Sequence, residues 1–199
     1  EIRRDRGNRE ERGSRSGRGQ QQGQGGNRTP QPSQNGQKPP QGQGKAQYEL
    51  ANRLAAKPDY PEAMRWMKQA VEQTGPLAAD ADIRGKGALQ VGNWYQAGLG
   101  EPKSPKQASG WWLRSAKLGN PDASYRLGME CRQQHKGKLA NDCLDWFEQA
   151  AKRDHAGAQF ILGEWYASQP GADTDAVQWL EKAAEQGNAL AQFALGAMY

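Results

Sequence analysis

The side chains best suited to metal or redox chemistry are two cysteines and two histidines. Cys131, His135, Cys143 and His155 are the only residues of these two types in the chain. Thiolate and imidazole are ligands that zinc prefers, and Cys131 and His135 are spaced to share one face of a helix. Cys143 and His155 would stand roughly 18 Å apart on one intact helix, too far to share an ion. The spacing therefore predicts no metal site.

Catalytic residues are not indicated by the sequence either. The glycines of residues 1–45 follow no predicted strand and precede no predicted helix, so they form no phosphate-binding loop. Carboxylates such as Glu164, Glu181 and Glu185 lie on amphipathic segments, where a solvent-facing helical surface accounts for them. Since the pattern supplies no nucleophile with a base and an orienting group, we expect no enzymatic activity and no cofactor.

The elements that position these residues follow from a repeated pattern. Tryptophan recurs at spacings of 45, 35 and 33 residues, at Trp66, Trp111, Trp146 and Trp179. Glycine recurs at spacings of 36, 35 and 33 residues, at Gly92, Gly128, Gly163 and Gly196. Each copy carries the apolar stripe of an amphipathic helix, as at Ala158, Leu162, Trp165 and Tyr166. Self-similarity at this period is typical of a solenoid of helix pairs.

This pattern resembles the SEL-one-like repeat family, a relative of the tetratricopeptide repeats. The clearest copy starts at Ala176, where Ala-x-x-Trp-x-x-Lys-Ala-Ala-x-x-Gly-Asn-x-x-Ala leads into Ala-x-x-x-Leu-Gly-x-x-Tyr, ending at Tyr199. The resemblance covers residues 87–199 well and residues 46–86 loosely. It implies an all-α fold, a right-handed α-solenoid of antiparallel helix pairs. The family binds other proteins, and nothing in the resemblance implies a reaction.

The pattern also divides the chain into a tail and a folded part. Residues 46–199 hold approximate copies at 46–86, 87–122, 123–157 and 158–190, and a partial fifth copy at 191–199. Residues 1–45 contain ten glycines, nine glutamines and no aromatic residue. Such a segment cannot bury enough surface to offset the entropy of ordering, so we expect a disordered basic tail.

The positive charge of the chain belongs to this tail. Ten Lys and Arg against four Asp and Glu give it +6, and the net +5 of the chain leaves −1 for residues 46–199. Three Arg-Gly pairs are typical of RNA-binding segments, but no aromatic side chain is present to stack on bases. We expect mainly a solvated spacer. Contact with a membrane surface, beside an anchor missing from this chain, and RNA binding are the alternatives.

Both cysteines occupy slots of the family pattern that face each other across one hairpin. Cys131 stands where the family has tyrosine at the end of a first helix, and Cys143 where it has alanine at the start of a second helix. Some family members carry disulfides within a repeat, and the resemblance implies a Cys131–Cys143 bridge that closes a loop of about 13 residues. Two buried, reduced cysteines are the alternative. A bridge would indicate an oxidising compartment.

Partner-binding residues are predicted on the first helices, away from the core stripe, because solenoids of this kind present a concave surface lined by first helices. Positions there differ from copy to copy: Gln90, Asn93 and Ala97, then Arg126, Met129 and Gln133, then Ile161, Glu164 and Ser168. The long loops 96–107 and 132–141 offer a second candidate surface.

The resemblance implies a non-enzymatic scaffold or adaptor of the bacterial cell envelope that binds another protein. It would be periplasmic, or anchored to the membrane and facing the periplasm. One alternative is a periplasmic immunity or inhibitor protein that neutralises a toxin enzyme. The other is a cytoplasmic RNA-associated adaptor that uses the Arg-Gly tail. No run of 18 apolar residues is present, so no segment of this sequence is expected to span a membrane.

Overall fold

The computed structural model describes residues 43–198, and every regular element in that range is a helix. The nine helices are α1 (Gly44–Ala55), α2 (Tyr60–Glu72), α3 (Ala81–Ala97), α4 (Pro105–Lys117), α5 (Pro121–Gln134), α6 (Asn141–Ala151), α7 (Ala156–Ala167), α8 (Asp173–Glu185) and α9 (Ala189–Met198). Each helix packs on the next in chain order, most extensively within the pairs α1–α2, α3–α4, α5–α6 and α7–α8. The predicted all-α solenoid of antiparallel helix pairs is confirmed.

The tail prediction can be compared with the structure only at its last three residues. The disordered segment expected over residues 1–45 lies outside the described range up to residue 42. Gly44 and Lys45 belong to α1, so the first helix begins slightly earlier than the sequence pattern indicated. Across residues 43–198, no helix combines the length and the hydrophobicity that a bilayer crossing requires.

Glycine allows the two helices of a pair to approach closely. In the second to fourth pairs, a glycine of the first helix lies against a large side chain of the second: Gly92 against Trp112, Gly128 against Phe147, and Gly163 against Leu180. A Cβ atom built on these glycines would come within 2.4, 2.9 and 2.6 Å of the facing side chain. A larger residue would therefore force the helices apart. The repeated glycine of the sequence is a packing requirement.

The side chain that fills each helix pair is the one that follows the recurring tryptophan. Met67, Trp112, Phe147 and Leu180 are all buried in the core. Trp66 is buried too, whereas the other three recurring tryptophans are half-buried and pack at the border of a core cluster: Trp111, Trp146 and Trp179. One residue is about 100° of rotation on a helix, so the following position points into the pair while the tryptophan lies at its edge.

Local sequence features mark the ends of several helices. Ser104 caps α4, with its hydroxyl accepting a hydrogen bond from the first turn, and Pro105 is the first helical residue. Gly119 and Gly187 end α4 and α8 with φ values of 92° and 83°. Asp154 takes the same left-handed conformation after α6, with φ of 60°. Each of these three residues reverses the chain at the end of a helix.

Candidate functional site

A groove of about 1050 Å³ lies along α3 and α5, the first helices of the second and third pairs, and reaches the N-cap residue of α7. Helix α5 supplies most of its lining. The rest of the lining comes from Leu89 and Gln96 of α3, Pro105 and Trp112 of α4, Gly137 in the loop after α5, and His155 at the start of α7. This volume is slightly above the range that small-molecule pockets occupy, and the groove is open to solvent, so it has room for several side chains of a ligand.

Stacked aromatic rings form one end of the groove floor. The ring of Tyr125 stacks on that of His155, with centroids 4.3 Å apart and planes inclined by 18°. Its edge also meets the ring of buried Phe147, with centroids 5.8 Å apart. Contacts on two sides hold Tyr125 in one orientation, so this part of the groove is preformed.

His155 serves as the N-cap of α7 as well as lining the groove. Its Nδ1 accepts a hydrogen bond from the backbone of Ala158 at 3.1 Å, in the slot where Asn120 and Asn188 cap α5 and α9. The proton of the neutral ring then lies on Nε2, 3.5 Å from Oδ1 of Asp122. Burial lowers the pKa of His155 below its ordinary value, although the charge of Asp122 opposes this shift. The ring is therefore neutral near pH 7.

Replacing His155 by asparagine is expected to flatten the dependence of stability on pH. Because the pKa of His155 is lower in the folded chain than in the unfolded chain, its contribution is complete above about pH 6.5. It is lost as the pH falls below that value, since the unfolded chain then binds the proton more readily. His155→Asn keeps the cap and removes the titrating ring. Urea unfolding at several pH values on either side of 6.5 measures the free energy of unfolding of both proteins. An equal dependence of that free energy on pH in the two proteins would contradict the prediction.

Polar and cationic side chains border the aromatic floor. The guanidinium of Arg126 is exposed and lies 5.6 Å from the centroid of the Trp112 ring. Trp112 is held in place by its Nε1, which donates to Oδ1 of Asn93 at 3.1 Å. On the same side, Glu130 accepts a hydrogen bond from the hydroxyl of Ser109 at 2.6 Å. The groove thus combines fixed apolar surface with a cation at its border.

Of the three sets of residues predicted to bind a partner, only the set on α5 lies entirely in the lining of this groove. Arg126, Met129 and Gln133 all line it, and the side chain of Met129 is 40% exposed. Gln90 on α3 is half-buried outside the lining. Glu164 on α7 and Ser168, the residue directly after α7, are exposed and also lie outside it. Of the predicted partner-binding residues, those on α5 are the ones that line the groove.

Ile161 and Asn93 depart from their predicted exposed positions. Ile161 is only 7% exposed and packs in the core cluster of the third and fourth pairs. Helix α7 is apolar over most of its circumference, so a stripe of four residues did not identify its solvent face. Asn93 is half-buried and is engaged by Trp112. Neither of the two presents a free side chain to a partner.

A recurring apolar residue outside the core stripe of the first helices supplies two of the residues that line the groove. In each copy, the position two residues after the first small residue is large and apolar: Tyr48, Leu89, Tyr125, Phe160 and Phe193. Leu89 and Tyr125 line the groove. Aligning the copies would reveal this position. A residue that is apolar in every copy but lies outside the core stripe must face another surface.

The predicted disulfide is present at the end of α5. Cys131 and Cys143 are joined, with their Cα atoms 5.4 Å apart. The loop that they close carries Gln133 and Gly137, which both line the groove. The bridge therefore ties one border of the groove to α6.

Two polar side chains lie beside the disulfide. Nε2 of His135 is 3.3 Å from Oδ2 of Asp142. One ring nitrogen of His135, one carboxylate oxygen of Asp142 and the sulfurs of Cys131 and Cys143 all lie within 4.8 Å of one another. His155, which the sequence analysis weighed as a possible fourth ligand with Cys131, His135 and Cys143, is not in this cluster, whereas Asp142 is.

Comparison with known proteins gives four matches to one family model. The Sel1 repeat model matches residues 44–74, 85–120, 121–155 and 156–188. The four matched ranges correspond to the pairs α1–α2, α3–α4, α5–α6 and α7–α8, and together they cover more than half of the chain.

Three solved structures are similar to this chain. A Sel1 repeat protein from Oxalobacter formigenes is 25% identical, with a TM-score of 0.60 over 77% of this chain and 59% of that one. An immunity protein from Pseudomonas aeruginosa is 24% identical, with a TM-score of 0.50 over 81% and 59%. A protective antigen of uropathogenic Escherichia coli is 24% identical, with a TM-score of 0.49 over 80% and 42%. This chain spans less than two thirds of each of them.

Proposed function

This chain belongs to the Sel1 repeat family, whose repeats typically mediate interactions between proteins, and we propose that it is a non-catalytic module that binds a partner protein in the groove along α3 and α5. The supporting observation is the lining of that groove. Exposed Arg126 and Met129 stand beside Trp112 and Tyr125, whose rings are held in place. Trp, Tyr and Arg are the residue types that dominate binding energy at protein interfaces.

The lining also indicates which segment of a partner would fit. Leu89, Tyr125 and Met129 offer apolar surface for one or two hydrophobic side chains, and a methionine adapts its shape to them. Arg126 can donate two parallel hydrogen bonds to a carboxylate next to that anchor. We infer that the preferred partner segment carries a hydrophobic residue followed or preceded closely by Asp or Glu.

The disulfide supports a location outside the cytoplasm. Bonds such as Cys131–Cys143 persist in the periplasm and at the cell exterior, where thiols are not kept reduced. We therefore place the module in the bacterial envelope, as a scaffold or adaptor. Neutralisation of a toxin enzyme would use the same groove, and the identity of the bound partner separates these two functions.

Photo-crosslinking in the native host tests the proposal. A photoreactive side chain at position 129 is expected to join the chain covalently to one partner protein, because Met129 lies in the groove. Arg126→Ala should weaken that complex about tenfold, the loss typical of an interface anchor. The adduct is identified by mass spectrometry, and alkylation of the same sample counts free thiols. Two alkylated cysteines would contradict the envelope location.

Leu113 provides the matched control position. It is an apolar side chain, 36% exposed, on α4 and outside the groove. A photoreactive group at position 113 should give no adduct with the partner captured at position 129. Capture of the same partner from both positions, or an adduct at position 129 that Arg126→Ala leaves unchanged, would contradict binding in the groove. A partner enzyme that loses activity when bound would favour the inhibitor function.

A further inference from the structure

The cluster beside the groove contains the donor atoms of a four-ligand metal site. The two sulfurs of Cys131 and Cys143, a ring nitrogen of His135 and a carboxylate oxygen of Asp142 lie within 4.8 Å of one another. Two thiolates, one imidazole and one carboxylate match the preference of zinc for sulfur and nitrogen ligands in a tetrahedron. We propose that, when the disulfide is reduced, these four side chains bind one zinc ion.

Little rearrangement is needed to form such a site. Zinc lies about 2.3 Å from each thiolate sulfur, and a tetrahedron then separates two sulfurs by roughly 3.8 Å. The Cα atoms of Cys131 and Cys143 are already 5.4 Å apart, so rotation about side-chain bonds can provide that separation once the sulfurs are no longer joined.

The other two ligands are already turned toward each other. Oδ1 of Asp142 accepts a hydrogen bond from the backbone of Cys143 at 3.0 Å, which leaves Oδ2 directed at Nε2 of His135, 3.3 Å away. Both side chains are substantially exposed, at 46% for His135 and 65% for Asp142, which gives a metal ion a path from solvent. Cys143 lies in the first turn of α6, where the helix dipole favours a thiolate.

A dithiol can reduce the Cys131–Cys143 disulfide. Two electrons pass from the dithiol to the Cys131–Cys143 bond, the reductant leaves as a cyclic disulfide, and both cysteines become thiols. Zinc then displaces the two thiol protons, while His135 binds through its neutral ring and Asp142 through its carboxylate. The same two residues therefore close the loop between α5 and α6 covalently when oxidised and through a metal ion when reduced.

Cobalt and zinc titrations of the full chain test this site. The protein is reduced with a phosphine, which is then removed, and cobalt is added under anaerobic conditions. The reduced chain is expected to take up one cobalt ion, with thiolate charge-transfer and tetrahedral absorption bands that zinc abolishes. The oxidised chain should show neither band. His135→Gln and Asp142→Asn should each weaken zinc binding at least tenfold in competition with a chromophoric chelator.

His155→Asn is the matched control, since it changes the other histidine of the chain outside the cluster. It is expected to bind zinc as tightly as the unchanged protein. A folded, reduced chain that takes up no metal would overturn the proposal, as would unchanged affinity in both His135→Gln and Asp142→Asn. If circular dichroism shows that reduction unfolds part of the chain, zinc should restore the helical signal, and a failure to restore it would also overturn the site.

Discussion

Gly92→Ala is expected to destabilise the chain by about 1–3 kcal/mol, the usual cost of an extra methyl group in a well-packed core. The added Cβ would lie 2.4 Å from Cδ1 and 2.5 Å from Nε1 of Trp112, and 3.0 Å from the carbonyl oxygen of Ala108. Trp112 is buried, and its Nε1 is bonded to Asn93, so the ring cannot move aside without losing that bond. Urea unfolding measures the change in the free energy of unfolding.

Gly110→Ala makes the same chemical change without the contact. Gly110 is exposed in the middle of α4, and a Cβ built there meets no atom within 4 Å. Alanine is the better helix former, so Gly110→Ala is expected to stabilise the chain by roughly 0.5–1 kcal/mol. The two variants should therefore change stability in opposite directions. The packing account would be contradicted if Gly92→Ala were neutral or stabilising.

The consequence of Gly92→Ala extends to the groove. Trp112 is part of the lining and supports the guanidinium of Arg126. A displaced Trp112 is expected to weaken partner binding even in the fraction of molecules that stays folded. Gly110→Ala should leave binding unchanged, because Gly110 contributes nothing to the groove.

Repetition explains why much of the fold follows from the sequence. Each copy must pack a glycine of its first helix against a large residue of its second helix. The glycines facing Trp112, Phe147 and Leu180 can therefore be identified from their regular spacing alone. The helix ends at Gly119 and Gly187 follow from the conformations that glycine tolerates. Close packing at glycine and a helix end at glycine both depend on a few neighbouring residues, so a short stretch of sequence is enough to predict them.

Features that depend on which face of a helix meets which neighbour were harder to predict. Ile161 was expected to be exposed because it lies beside the core stripe, but α7 is covered by neighbouring helices on more of its surface than the stripe implied. The packing of α7 against α6 and α8 decides this, and periodicity along α7 alone contains no information about it.

The role of His155 illustrates the same difficulty at the level of one side chain. Its residue type made it a candidate metal ligand, whereas its position in the repeat is that of the capping residues Asn120 and Asn188. Alignment of the copies would have indicated the cap. The contact between His135 and Asp142 does not follow from the sequence, because the two are seven positions apart and meet only when the loop between α5 and α6 folds back.

Removing the disulfide with the double substitution Cys131→Ala and Cys143→Ala is expected to cost about 3 kcal/mol, because the unfolded chain then regains the freedom of a loop of about 13 residues. Alanine occupies the equivalent of position 143 in other copies, at Ala108 and Ala176, so it fits there without strain. The free energy of unfolding in the presence of a chelator gives the magnitude. The unchanged protein, reduced in the same chelator, should lose a similar amount, and no loss in either would contradict the account.

The location of the lost stability shows whether the disulfide stabilises only the third helix pair or the whole array. In an array of repeats each pair contacts mainly its neighbours, so weakening of the third pair should appear first in residues 132–142 and in α6. Hydrogen exchange is expected to accelerate there and to change little in α1 and α2. Because Gln133 and Gly137 border the groove, partner binding should weaken together with stability. Arg126→Ala should weaken binding alone, and this contrast separates a residue that contacts the partner from a bond that holds the groove in shape.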